Sequence, residues 1–178
     1  EGFNEVDKIH YDAAFPNEML FDDNGITLEN DGNGVSVEPM FAPQPGLTLI
    51  NAPAVWAAGD SGRGVLVANI DSGTDWKHPD LAWNIWNNLG EDANNNGRTT
   101  IPSGSSWVFD PGDINGIDDD GNGVVDDFIG WNWEGNNNDP SSGSSHGTAT
   151  SGIVAGYGTN GTQTGVAPAA NLIILKPG

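Results

Sequence analysis

Two segments of the chain are apolar at nearly every position. Val65-Leu66-Val67-Ala68-Asn69-Ile70 and Asn171-Leu172-Ile173-Ile174-Leu175-Lys176 lack the strict alternation of a half-buried strand. Near-continuous apolar runs of this length suit strands buried on both faces, as in a parallel sheet. Between them, His146–Gly156 is a run of small residues with helical character, preceded by Ser144 and Ser145 as candidate caps. Small side chains let such a helix pack closely on a sheet, with His146 exposed at its N-terminal end. Upstream, 49–59 predicts a short helix with Asn51 as N-cap, Pro53 in the first turn and Gly59 as the stop. Strand, long excursion, helix, strand is the opening of a right-handed parallel α/β arrangement. A sheet with two such strands looks unfinished.

The polar remainder divides the chain. Residues 1–45 are weakly patterned and read as an arm or lead-in to a body spanning 46–178. His10 reads as a surface residue, 29–34 as a turn, and Pro39, Pro43 and Pro45 predict an extended stretch. Residues 84–143 form an insert rich in Asn, Asp and Gly. Three hexapeptides place oxygen-bearing side chains at alternate positions before a glycine: Glu29, Asp31, Asn33, Gly34; Asp92, Asn94, Asn96, Gly97; and Asp118, Asp120, Asn122, Gly123. That pattern can wrap a calcium ion, which takes six to eight oxygens, although an ordinary solvated turn has the same composition. The strongest candidate is 118–127, where Val124, Asp126 and Asp127 extend the ligand set and the carboxylates repel one another without a cation. It is not an EF-hand, because Ile129 stands at the twelfth position, where a bidentate Glu belongs, and no flanking helix is expected. Phe128–Trp133 reads as the apolar anchor of this loop.

Charge sharpens the picture. Asp and Glu number 25 against 5 Lys and Arg in 178 residues, a net charge of −20. This argues against nucleic acid or an anionic membrane as partner and favours bound cations. With no cysteine, disulfides and thiolate metal sites are excluded. No apolar run approaches the roughly 20 residues that span a bilayer. The chain opens on Glu1 without a Met, as a processed or excised piece would.

The candidate chemistry lies at Asp71 and His146. An Asp at a strand's C-terminal end can hold one imidazole nitrogen while the other takes a proton from a serine hydroxyl. The order Asp, His, then Ser is that of the subtilisin type. Gly59-Asp60-Ser61-Gly62 mimics the serine motif of trypsin-like proteases, but it precedes both partners and reads as a helix-to-strand turn.

The motifs themselves are specific. Val67-Ala68-Asn69-Ile70-Asp71-Ser72-Gly73 with His78-Pro79-Asp80-Leu81, and His146-Gly147-Thr148-Ala149-Thr150-Ser151-Gly152, resemble the aspartate and histidine motifs of the subtilisin-like serine proteases. Gly165-Val166-Ala167-Pro168 and the lead-in Asn51–Trp56 resemble the same family. The resemblance implies an incomplete subtilisin-like fold, Asp71 as triad aspartate, His146 as general base, and Asp80 as ligand of a structural calcium. It implies protein or peptide substrates and secretion. Ala149-Thr150 replaces the frequent His-Val pair, which is expected to change helix packing and not proton chemistry. The 157–163 loop departs from the family's calcium pattern. The family's Gly-Thr-Ser nucleophile motif and oxyanion Asn are expected beyond residue 178, in a C-terminal half of the peptidase domain, leaving this chain inactive alone. The competing reading is a non-catalytic extracellular calcium-binding module on a subtilase-derived scaffold.

Overall fold

A computed structural model describes residues 44–158 and 164–178 in full, and the backbone of 29–30 and 36–37. In the N-terminal region, β1 (Glu29–Asn30) pairs antiparallel with β2 (Ser36–Val37). The remainder of the 1–43 segment, including His10, Asp31, Asn33, Gly34, Pro39 and Pro43, lies outside the described residues, as does 159–163.

Pro45 does not extend the chain, contrary to expectation. It opens the short helix α1 (Pro45–Leu49), where its missing N–H has no intrahelical partner to lose. The expected next helix, α2 (Ala52–Ala57), has Asn51 at its N-cap position, but the side chain makes no cap bond and the backbone is left-handed, with φ 60°. Asn tolerates that region better than most residues, so Asn51 serves as the hinge between α1 and α2. Leu47, Ala52 and Trp56 form a small core there. Trp56 Nε1 donates to the Val166 carbonyl at 3.0 Å, which ties α2 to the turn before the last strand.

The two apolar runs become β3 (Leu66–Ile70) and β7 (Asn171–Lys176), parallel neighbours with Leu66 opposite Asn171 and Ile70 opposite Leu175. On the other side of β7 lies β6 (Gly130–Asn132), also parallel, giving the order β3-β7-β6. The central strand is buried as expected, with Leu172 and Ile174 at 0% exposure. β3 is not: Leu66 is 43% and Ile70 67% exposed, whereas Val67 and Asn69 are half-buried. The period-2 geometry of a strand sends these two sets to opposite faces, and among the described residues only one face is covered.

Helix α3 (His146–Ala155) packs against β3 and β7. The 84–143 segment is more ordered than its composition suggests. A hairpin of β4 (Thr100–Ser103) and β5 (Ser106–Phe109) turns through Gly104-Ser105, with Gly104 at φ 62°. Phe109 stacks on Trp76 at 4.8 Å and tilts against Phe128 at 5.2 Å, while Trp107 meets Trp83 edge-on at 4.7 Å. Phe128 and Ile129 are fully buried with Leu172 and Ile174, but Trp133 is 54% exposed. The apolar anchor is therefore Phe128-Ile129, supplemented by the hairpin's aromatic residues. Among the described residues no helix is long and apolar enough to cross a membrane.

Candidate active site

Asp71 extends the ladder of β3 by one residue, its amide donating to the Leu175 carbonyl at 3.2 Å. The chain then turns sharply at Gly73, φ 91°, where any Cβ would overlap the Pro140 carbonyl. A Cβ at Gly147 would likewise overlap the Gly73 carbonyl and lie 3.3 Å from the Asp71 Cβ. Glycine at both positions lets the strand end and the helix start touch, and that contact joins the two motifs.

His146 Nδ1 lies 2.8 Å from both Asp71 carboxylate oxygens. The imidazole is 72% exposed, the aspartate 17%. Nδ1 is the nitrogen held, so Nε2 is the one free for proton transfer. The Ser72 amide donates to Asp71 Oδ1 at 2.6 Å and Thr150 Oγ1 donates to Oδ2 at 3.2 Å. The Ser72 amide, then His146, hold the Asp71 carboxyl down to a pKa of about 2, with Thr150 adding to the effect. The carboxylate is thus ionised at any working pH and favours the tautomer with the proton on Nδ1.

Several supporting residues were not singled out from the sequence. Asn69 Nδ2 donates to the Gly147 carbonyl at 3.0 Å and to Ser151 Oγ at 2.6 Å. Thr74 Oγ1 lies 3.0 Å from Ser151 Oγ, with both residues fully buried. An amide within an apolar strand run was the one visible signal, because such a group needs buried partners. Thr150 corrects an expectation: its hydroxyl donates to the carboxylate that holds His146, so its presence bears on more than helix packing. The serine caps also differ, since Ser145 makes no side-chain cap bond and Ser144 Oγ takes the His146 amide at 3.3 Å.

The acidic residues separate into groups. Glu91, absent from the sequence-based set, lies with Asp118 and Asp120 in one carboxylate cluster. Its Oε1 accepts the Asp119 and Asp120 amides at 3.0 and 3.2 Å, and its Oε2 the Asp126 amide at 3.1 Å. Burial, then the charges of Asp120 and Asp127, push the Glu91 carboxyl up against these donors. Asp118 takes the Asn122 and Gly123 amides, and Asn122 Nδ2 reaches both Asp120 and Asp127. Val124 contributes its amide to Asn122 Oδ1. Asp126 turns away and accepts the Asn115 and Gly116 amides. Asp80 accepts the Gly158 amide at 2.6 Å. Asp92, Asn94 and Asn96 gather with Asp110 and Asp113, two residues outside the sequence-based set.

An imidazole held by a carboxylate at the end of a parallel strand is the arrangement with which serine hydrolases activate a hydroxyl. Residues 62–178 match the subtilase family, and the chain belongs to that family. It is similar to "Subtilisin-like protease 1" of Plasmodium berghei, 40% identical over 108 residues, covering 60% of this chain and 15% of that protein. It is similar to the "Major intracellular serine protease" of Bacillus subtilis, 31% identical over 131 residues, covering 74% of this chain and 29% of the relative. "Subtilisin E" of Bacillus subtilis is 30% identical over 131 residues, covering 74% of this chain and 23% of that protein. The chain thus spans under a third of each of these relatives.

Proposed function

We propose that this chain is the acid–base part of a secreted, calcium-stabilised serine endopeptidase, inactive until joined to a C-terminal half that supplies the serine and the oxyanion Asn. The observation that carries the reading is the 2.8 Å contact of His146 Nδ1 with both Asp71 oxygens, beneath an exposed ring. In the reaction, His146 Nε2 takes the serine proton as the hydroxyl oxygen attacks the peptide carbonyl carbon. The resulting imidazolium then returns that proton to the departing amine, leaving an acyl-enzyme. Water, deprotonated by the same nitrogen, hydrolyses the ester. Asp71 keeps its negative charge throughout and stabilises the imidazolium.

Calcium belongs to this reading at 118–127. Asp118, Asp120 and Glu91 bring three carboxylates to one place, with Asn122 and Asp127 alongside. Hard oxygen donors of this kind suit Ca²⁺, and outside the cell its concentration is high enough to fill loops of modest affinity. That supports secretion.

The test is His146→Ala in the full-length parent. Peptidase kcat/KM is expected to fall by about 10⁴-fold or more with the fold intact. Activity within tenfold of the parent would overturn the assignment. A parent gene without a Gly-Thr-Ser motif after residue 178 would instead favour the non-catalytic calcium-binding module.

A further inference from the structure

The 92–97 loop is closed by two acids that its own pattern does not contain. Asp92 takes the Asn96 amide on Oδ1 at 3.1 Å and the Gly97 amide on Oδ2 at 2.7 Å, which bends the loop into a ring. Asp110 follows β5 directly and is 6% exposed. It accepts from Asn96 Nδ2 at 2.5 Å and from the Gly112 amide at 2.7 Å. Asp113 is fully buried, and its Oδ1 accepts the Asn94 amide at 3.1 Å. Its Oδ2 is buried without any hydrogen-bond partner.

That orphan oxygen is the telling feature. Buried polar atoms are almost always satisfied, and a buried carboxylate oxygen without a partner is strongly unfavourable. Here the difficulty is compounded, because the charges of Asp92 and Asp110 both act on Asp113. None of the three carboxylates is salt-bridged to a Lys or Arg among the described residues. Among the described residues, no positive charge faces a group so placed.

We propose that Asp113, Asp110 and Asp92, whose carboxylate oxygens do not all lie within the 4.8 Å that groups Glu91, Asp118 and Asp120, draw together on a divalent cation, calcium by the hardness of an all-oxygen donor set, with Asn94 and Asn96 as amide-oxygen ligands. Both amides already adjoin Asp110, and rotation about the last side-chain torsion exchanges NH₂ for carbonyl oxygen, which for Asn96 gives up the bond its Oδ1 accepts from the Arg98 amide at 2.9 Å. The site is distinct from 118–127 and shares no ligand with it. Its ligands come from both sides of the β4–β5 hairpin, so the ion would clamp the hairpin's two ends together. That clamp holds Trp107 and Phe109 against Trp83, Trp76 and Phe128.

The test counts calcium retained per chain after desalting and follows the melting temperature with calcium and with EDTA. Asp113→Asn is expected to lose one calcium relative to the unsubstituted chain. It should melt lower in calcium, yet no lower in EDTA, where removing a buried unpaired charge is harmless or favourable. Asp120→Asn reports on 118–127 separately: it loses a different ion, and the double variant loses both. If Asp120→Asn retains every ion while Asp113→Asn loses one, the 118–127 reading fails and this site stands. Asp113→Asn that folds with the full calcium count, or melts higher in calcium and EDTA alike, would overturn the proposal and make Asp113 a buried neutral acid. Should Asp113→Asn not fold, Asp92→Asn on the half-buried loop gives the same reading. Loss of one ion supports the site, and an unchanged count overturns it.

Discussion

Asp71 is surrounded by donors from three directions, which makes its protonation state the most constrained feature of the site. The Ser72 amide, His146 Nδ1 and Thr150 Oγ1 all point at its oxygens. Its carboxyl resonance should therefore titrate near 2, below the ordinary 3.8. Because the folded value is depressed, the stabilising contribution is complete above the unfolded value and is lost as pH falls through the folded one. An NMR midpoint near 3.8 would refute the arrangement. Thr150→Val removes one donor without changing shape, so the midpoint should move upward and kcat/KM of the parent should fall by about tenfold or less. An unmoved midpoint would show that the Thr150 contact is idle. Asp71 and His146 were legible because each sits in a short local motif. Thr150, Thr74 and Ser151 were not, because their importance comes from contacts between segments far apart in sequence. Asp113 was hidden similarly, since it and Asp110 accept hydrogen bonds from the 92–97 loop across a hairpin.

Among the elements, apolar runs were easy to recognise and short polar ones were not. β3 and β7 follow directly from their composition, and their pairing follows from parallel α/β logic. β6 has three residues, one of them a glycine with φ 120° packed on the Ile174 carbonyl, and carries no periodic signal. The β4–β5 hairpin is disguised by Pro102 and by serines at its turn, although Gly104-Ser105 between two short runs was a usable clue. The 118–127 loop has little apolar material of its own, and Phe128-Ile129 secures only its end. In the proposed calcium-bound form, the ion relieves repulsion among Glu91, Asp118, Asp120 and Asp127. Chelation is expected to lower the melting temperature by several degrees, which corresponds to about 1–3 kcal/mol for a chain of this size. Calcium added back should restore it, and an unchanged melting temperature in EDTA would count against a structural ion in either acidic loop.

For the whole molecule, the face of β3 left uncovered among the described residues matters most. Leu66 and Ile70 stand exposed at 43% and 67%, and Ile153 of α3 at 66%. A parallel sheet normally carries helices on both faces and more strands at its edges, because its strands are apolar on both sides. The sequence of β3 is written for that environment, which explains why its composition overstated its burial. In the proposed parent, the C-terminal half of the peptidase domain is expected to cover this face. Substituting Ile70 then has opposite consequences in two contexts. In the isolated chain, Ile70→Glu replaces an exposed side chain and should change stability by no more than about 0.5 kcal/mol. In the parent, the same change places a carboxylate in a closed interface, where burial without a partner is severely unfavourable. The yield of folded, active peptidase should collapse while the isolated chain melts as before. Equal tolerance in both contexts would mean that β3 remains a free surface, and the continuation of the domain would have to join this chain elsewhere.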